Sequence, residues 1–283
     1  MGKTDFHIHS YFSTDSVEDP EEIVKTAIKR GMEAICFTDH IDLDFPEVYR
    51  EEIEKSLGDK GLMLHRFVNG LESDAKIPLF KFDMEHYITE ISDLKLKYYG
   101  DIDIKIGAEF GLRPYRADLC KEYSYMKRHY KLDFVLGSLH LVDDRDPFYK
   151  ESWGTCDIND FIEEYFYELH EAIEEYGDFD SLAHIDYVAR YMPNLEELKH
   201  DPEQINDFAD SLYEAHAGVI DDILKTIIRR GQALEINTAG LYGTYAHTHP
   251  TKQILRAYSE LGGVKFSYGS DAHKADDVGR GLL

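Results

Sequence analysis

The amino-acid sequence predicts an α/β protein whose strands run parallel in a closed or nearly closed barrel. Three observations carry that expectation. Seven short apolar runs are separated by helical stretches, the alternation that gives parallel strands with crossover helices. No Pro-, Gly- or Ser-rich linker divides the chain, so it reads as one domain over 1–283. After nearly every apolar run, the next polar residue is a histidine or a carboxylate. Barrels of this kind place active-site groups at the carboxyl ends of their strands.

The first strand is expected at Thr4–His9. Asp19-Pro20-Glu21-Glu22 then opens a helix with an N-cap, a proline at the first helical position and a capping-box glutamate, and Gly31 closes it. Ala34-Ile35-Cys36-Phe37-Thr38 reads as the second strand. Segment 43–82 is rich in charge, Gly and Pro and holds no clear strand, so it is expected as an insertion over one face. Helix 84–99 leads to strand 102–106, helix 116–130 to strand 133–138, and helix 157–176 to strand 181–184. Helix 203–230 then leads into Ala233–Asn237, and helix 250–261 into Val264–Gly269. The chain stops at Leu283, shortly after Gly281, where a barrel would be expected to close with a last helix.

Composition excludes several functions. With 283 residues, 43% of them hydrophobic, the chain can bury a full core without disulfides. Its three cysteines, Cys36, Cys120 and Cys156, form no Cys-x-x-Cys pair and suit a reducing cytoplasm. No window is long and apolar enough for a signal or membrane span, and Phe6 stands where a myristoylation signal at Gly2 would want Ser or Thr. A formal charge of −25 disfavours extended nucleic acid as a partner.

The chemistry lies at the strand ends. His7 and His9 are two apart on a strand and point to one face, a chelating arrangement. His247-Thr248-His249 repeats the pattern outside a strand, which shows how weak one pair is. The wider placement says more: strand two ends in Asp39-His40, three in Glu109, four in His140 and five in His184, and the last runs into Asp271 and His273. Imidazoles and carboxylates without cysteine suit a catalytic site for zinc, manganese or iron. So many donors exceed one ion's needs and imply two or three divalent ions, with Glu109 the natural bridge.

The runs DFHIHS, FTDH, GAEFG, GSLH, LAHIDY and GSDAHKADDVGRG resemble the successive motifs of the polymerase and histidinol phosphatase superfamily, and within it the histidinol-phosphate phosphatases. The resemblance spans residues 4–281 and implies a distorted seven-stranded (β/α)7 barrel with three metal ions. It implies that His7, His9, Glu109 and Asp271 hold the first ion and Glu109, His140 and His184 the second. Asp15, His40 and His273 would hold the third. The implied reaction is hydrolysis of a small phosphorylated substrate, L-histidinol phosphate, by a metal-bridging hydroxide in histidine biosynthesis.

The resemblance also implies that Arg190 clamps the substrate phosphate; Arg113 and Arg116 are weaker candidates. Tyr242 follows Leu241 where relatives often carry a basic residue. Asp42 and His247 lie on loops from which a proton could reach the leaving alkoxide. Asp39 reads as a carboxylate that orients a ligand. The competing readings are a nuclease or nucleotide phosphodiesterase of the same superfamily and a non-catalytic, metal-stabilised regulatory domain. The sequence leaves the oligomeric state open.

Overall fold

The computed structural model describes residues 3–282; Gly2, with its lipidation question, and Leu283 lie outside the described residues. The elements are β1 (Thr4–Ile8), α1 (Pro20–Lys29), β2 (Ala34–Phe37), β3 (His40–Ile41), α2 (Arg50–Val68), α3 (Met84–Lys97) and β4 (Asp103–Gly111). They continue with α4 (Ala117–Tyr130), β5 (Phe134–Ser138), α5 (Ile158–Glu175), β6 (Ser181–Leu182), α6 (Leu195–Leu198) and α7 (Pro202–Arg230). The last are β7 (Ala233–Asn237), α8 (Lys252–Glu260) and β8 (Phe266–Gly269).

The described strand pairings are parallel, as helical crossovers require. The strand order is β1-β2-β4-β5-β6-β7-β8, with β3 set beside β4. This is the seven-stranded path of the predicted α/β barrel. It nearly closes: Ile8 bridges Ala272 just past β8, and the His9 amide donates to the Ala272 carbonyl at 2.8 Å.

The chain divides into two compact units. The first comprises residues up to Gly111, Tyr123–Leu136 and Tyr268 onward. Within it β1 pairs with β2 from Thr4 opposite Ala34, β2 with β4 from Ala34 opposite Asp103, and His40 lies opposite Glu109. α1 begins as expected: Asp19 accepts from the Glu21 amide at 2.7 Å and Pro20 occupies the first turn. The second unit comprises Leu112–Glu122 and Gly137–Ser267. There α7 packs on α5 and α8, and Ser181 of β6 lies opposite Ala233 of β7.

Two elements depart from expectation. His40, read as the residue following a strand, begins the short strand β3. Segment 43–82 contains the 19-residue helix α2. That helix has no side-chain cap, and Gly58 kinks it at φ 61°, a backbone conformation open to glycine and costly elsewhere. Its buried stripe of Ile53, Gly61, His65 and Val68 carries too little apolar mass to reveal a helical period.

Candidate metal centre

Seven of the nine expected ligands belong to the first unit. The end of β1 carries His7 and His9, β3 carries His40, β4 carries Glu109, and the turn after β8 carries Asp271 and His273. Asp15 lies on the loop between β1 and α1. His7, His9 and Glu109 have no exposed surface. Glu109 Oε2 stands 3.1 Å from His7 Nε2, 3.5 Å from His9 Nε2 and 3.0 Å from His40 Nδ1. Asp271 Oδ1 is 3.6 Å from His7 Nε2 and 3.3 Å from His9 Nε2. Asp15 Oδ2 lies 3.1 Å from His273 Nε2 and 3.5 Å from His40 Nε2. Donor atoms sharing one tetrahedral ion with bonds near 2.1 Å stand about 3.4 Å apart, so these separations fit chelation.

Hydrogen bonding fixes which nitrogen of His9 is proton-free. Ser13 Oγ donates to Asp39 Oδ1 at 2.8 Å, so it must accept from His9 Nδ1 at 3.0 Å and from the His40 amide at 3.0 Å. His9 therefore carries its proton on Nδ1. Burial, then the nearby His273 and His40 rings, hold its pKa well below the ordinary value, which keeps the ring neutral. Its Nε2 lone pair thus faces the oxygens of Asp271 and Glu109 with no proton between them. A buried acceptor facing two buried carboxylates is unfavourable unless a cation lies among them. His273 differs: Nδ1 donates to the Asp271 carbonyl at 3.0 Å, turning Nε2 toward Asp15, and although burial opposes it, the Asp15 carboxylate raises the pKa of this ring above the ordinary value. The rings of His40 and His273 each stack 4.2 Å from His9, and the three rings offer nitrogens mutually within 4.8 Å.

Two buried carboxylates hold this arrangement. Asp39 takes the Ser10 amide at 2.7 Å and the Ser13 amide at 3.0 Å, and burial pushes its pKa up to about 6. It orients His9 through Ser13 without touching the ring, which the sequence reading did not specify. Asp5 accepts from the Ser270 amide at 2.9 Å and the Gly279 amide at 2.7 Å, tying β1 to the turn that presents Asp271 and His273. Burial likewise raises its pKa to about 6. Asp5, Ser10 and Ser13 were missed as contributors; their only sequence signal was proximity to the His7 and His9 pair. Asp42, a proton-donor candidate, is 4% exposed with Oδ2 3.7 Å from His40 Nδ1. It packs against Gly111, where any side chain would collide with its carboxylate.

The second unit brings His140 and His184 together, with ring centroids 5.6 Å apart. Tyr187 packs on both, at 5.4 and 4.9 Å. Arg190 ends up on the same helical turn, Tyr187–Tyr191, its guanidinium 4.9 Å from the Tyr187 ring and 5.0 Å from that of Tyr191. Arg113 instead pairs with Asp144, and Arg116 with Asp118 at 2.8 Å, so both face carboxylates. His247 packs on Tyr245 at 5.3 Å, and burial lowers its pKa. Asp186, to which the sequence reading assigned no role, forms a fully buried pair at 2.7 Å with His249 of the His247-Thr248-His249 pattern.

A family model described as the PHP domain matches residues 5–239. The "Probable histidinol-phosphatase" of Clostridium acetobutylicum is 29% identical over 275 residues, covering 97% of this chain and 88% of that protein. The histidinol-phosphatase of Lactococcus lactis is 27% identical over 278 residues, covering 97% and 86%. A crystal structure of histidinol phosphate phosphatase from Lactococcus lactis, complexed with zinc, L-histidinol and phosphate, superposes with a TM-score of 0.71. At 24% identity it covers 97% of this chain and 87% of its own, and it shows that the fold is shared.

Proposed function

The chain belongs to the PHP domain family, and from that premise we propose that it is a histidinol-phosphatase, hydrolysing L-histidinol phosphate to L-histidinol and inorganic phosphate. The single observation that carries the metal-dependent part of this reading is the neutral His9, whose Nε2 lone pair faces Asp271 and Glu109. We assign His7, His9, Glu109 and Asp271 to one ion, Asp15, His40 and His273 to another, and His140 and His184 as donors to a further one. The set suits two or three ions of zinc, manganese or iron. Divalent ions bound there supply Lewis acidity toward phosphoryl oxygens and acidify a water molecule.

The protein's own groups do the rest. Arg190, held between two tyrosine rings, binds the phosphate with a planar fork of donors whose orientation is restricted before substrate arrives. Asp42 and His247 are the candidates for returning a proton to the leaving alkoxide. With its pKa lowered, His247 is proton-free at neutral pH and suits accepting more than donating. The acidic stretches around 42–54 and 72–85 favour a substrate that carries an ammonium group. The reading places the protein in histidine biosynthesis in the cytoplasm. Among the described residues, no helix is long and apolar enough to cross a membrane.

The test is phosphate release from histidinol phosphate, simple monoesters and oligonucleotides, each with zinc, manganese and iron. Preferential release from histidinol phosphate is expected. Cleavage of oligonucleotides alone would replace the reading with a nuclease, and inactivity on the whole panel would remove the enzyme claim. Arg190→Ala should lower kcat/KM about 100- to 1000-fold with metal content unchanged. Loss of metal in that variant would show that Arg190 has a structural role instead.

A further inference from the structure

Both carboxylate oxygens of Asp186 are used, and both face the same stretch of chain. Oδ1 accepts from His249 Nδ1 at 2.7 Å and Oδ2 from the Thr251 amide at 2.8 Å. Neither Asp186 nor His249 has any exposed surface. A carboxylate can only accept, so the His249 proton sits on Nδ1. The histidine is itself anchored: its amide and carbonyl exchange hydrogen bonds of 2.9 and 2.7 Å with Asn237 at the end of β7. Its ring stacks on Tyr245 at 5.2 Å and 12°. A Cβ at residue 240 would stand 2.8 Å from Nε2, so the ring needs glycine there to occupy its place.

A second tether runs parallel to this one. Glu235, also in β7, accepts from the His184 amide at 2.8 Å. Residues 184 and 186 are thus each fastened to β7, one through Glu235 and the other through His249. Directly after Asp186 comes the turn Tyr187–Tyr191, which carries the ring packed on His140 and His184 and, one turn on, Arg190.

We propose that Asp186 and His249 are a positioning pair that fixes the segment His184–Arg190, setting one metal-binding imidazole and the phosphate-binding guanidinium together. The inference rests on the roles proposed above for His184 and Arg190. What matters in His249 is the donor at the δ position: it is the only group on that side chain that reaches Asp186, and Nε2 does not share the task. Without it Asp186 keeps a buried charge with one oxygen unsatisfied, and the segment must move to hydrate it.

The substitutions His249→Asn, His249→Gln and His249→Leu separate this from simple packing. Asparagine presents an amide N–H near the position of Nδ1; glutamine presents it near Nε2; leucine keeps apolar bulk alone. Circular dichroism and thermal melting select the folded variants. Three measurements follow: zinc affinity by competition with a chromophoric chelator, inorganic phosphate binding by calorimetry, and kcat and KM for histidinol phosphate.

We expect His249→Asn to stay close to the unsubstituted protein in all three. His249→Leu and His249→Gln should bind phosphate more weakly, raise KM and lose about 10- to 100-fold in affinity for part of the zinc, as loss of groups supporting metal ligands does elsewhere. If glutamine or leucine matches the unsubstituted protein, or asparagine fails along with them while folded, the positioning role is wrong. The functional reading is tested separately, because zinc and phosphate binding are read without turnover. Should the unsubstituted protein not hydrolyse histidinol phosphate, the same ranking of variants in zinc and phosphate binding would still uphold the pair.

Discussion

Glu109 shows how one side chain can decide a site. Its buried Oε2 lies within 3.5 Å of nitrogens on His7, His9 and His40, and the proton-free His9 Nε2 offers it no hydrogen bond. The proposed role, a carboxylate that bridges cations, would account for that convergence. Glu109→Gln keeps the shape and removes the charge, so it should lose bound metal and at least about 100-fold in activity, since removing even supporting groups costs up to that much. Elemental analysis beside phosphate release checks this, and a fully metallated, active variant would refute the bridge. Ser13 makes a subtler case, because its hydroxyl is the acceptor that fixes the proton on His9 Nδ1. Ser13→Ala should fold normally yet bind zinc about 10- to 100-fold more weakly in a chelator competition. Equal affinity would mean that the tautomer is held by something else. The clustering of the candidate ligands was legible because strand alternation puts His7 and His9 on one face. Ser13 and Asp5 were not, since their partners are set by loop paths, as for the Asp5 contact with Gly279, that no local period encodes.

At the scale of elements, legibility followed end signals and periodicity. α1 announced itself through Asp19, Pro20 and Gly31, whereas α2 begins without a side-chain cap and is broken at Gly58. The two-residue strand β3 is too short to show alternation; only its pairing, His40 opposite Glu109, defines it. α7 was legible in extent, but its kink at His216, where φ is −123°, was not. That histidine is 8% exposed, with its ring 5.5 Å from Phe166 of α5. Burial holds its pKa below the ordinary 6.5. The unfolded chain therefore binds a proton more readily than the folded one, so acidification through about 6.5 must weaken folding, while above that pH the group contributes nothing. Urea unfolding at about pH 7.5 and 5.5 should show a larger loss of stability in the unsubstituted protein than in His216→Leu, which keeps the apolar contact and cannot titrate. Equal losses would show that the kink does not exclude the imidazolium.

For the molecule as a whole, the question is whether two compact units behave as one cooperative body. Two of the four boundaries between the units fall inside strands, Leu136 and Gly137 both being in β5 and Ser267 and Tyr268 both in β8, and a third falls inside α4 between Glu122 and Tyr123. Separating the units would cut two strands of a parallel path, and no flexible linker offers a cheaper place to part. We therefore propose a single cooperative domain, with metal as part of its stability. The protein carries 56 acidic against 31 basic residues, and the buried carboxylates of Glu109 and Asp271, with the exposed carboxylate of Asp15 nearby, add local repulsion that bound cations would relieve. An ion present at about a thousand times its dissociation constant stabilises the folded state by about 4 kcal/mol. In a chain of this size each kcal/mol moves the melting point by roughly 2 to 4 °C, so stripping one such ion should lower it by about 8 to 16 °C. Differential scanning calorimetry with and without chelator should give one transition that moves as a whole. An unmoved melting point would deny the metal any share in stability. Two transitions, only one of them responsive to chelator, would show that the units unfold independently and that the single-domain reading is wrong.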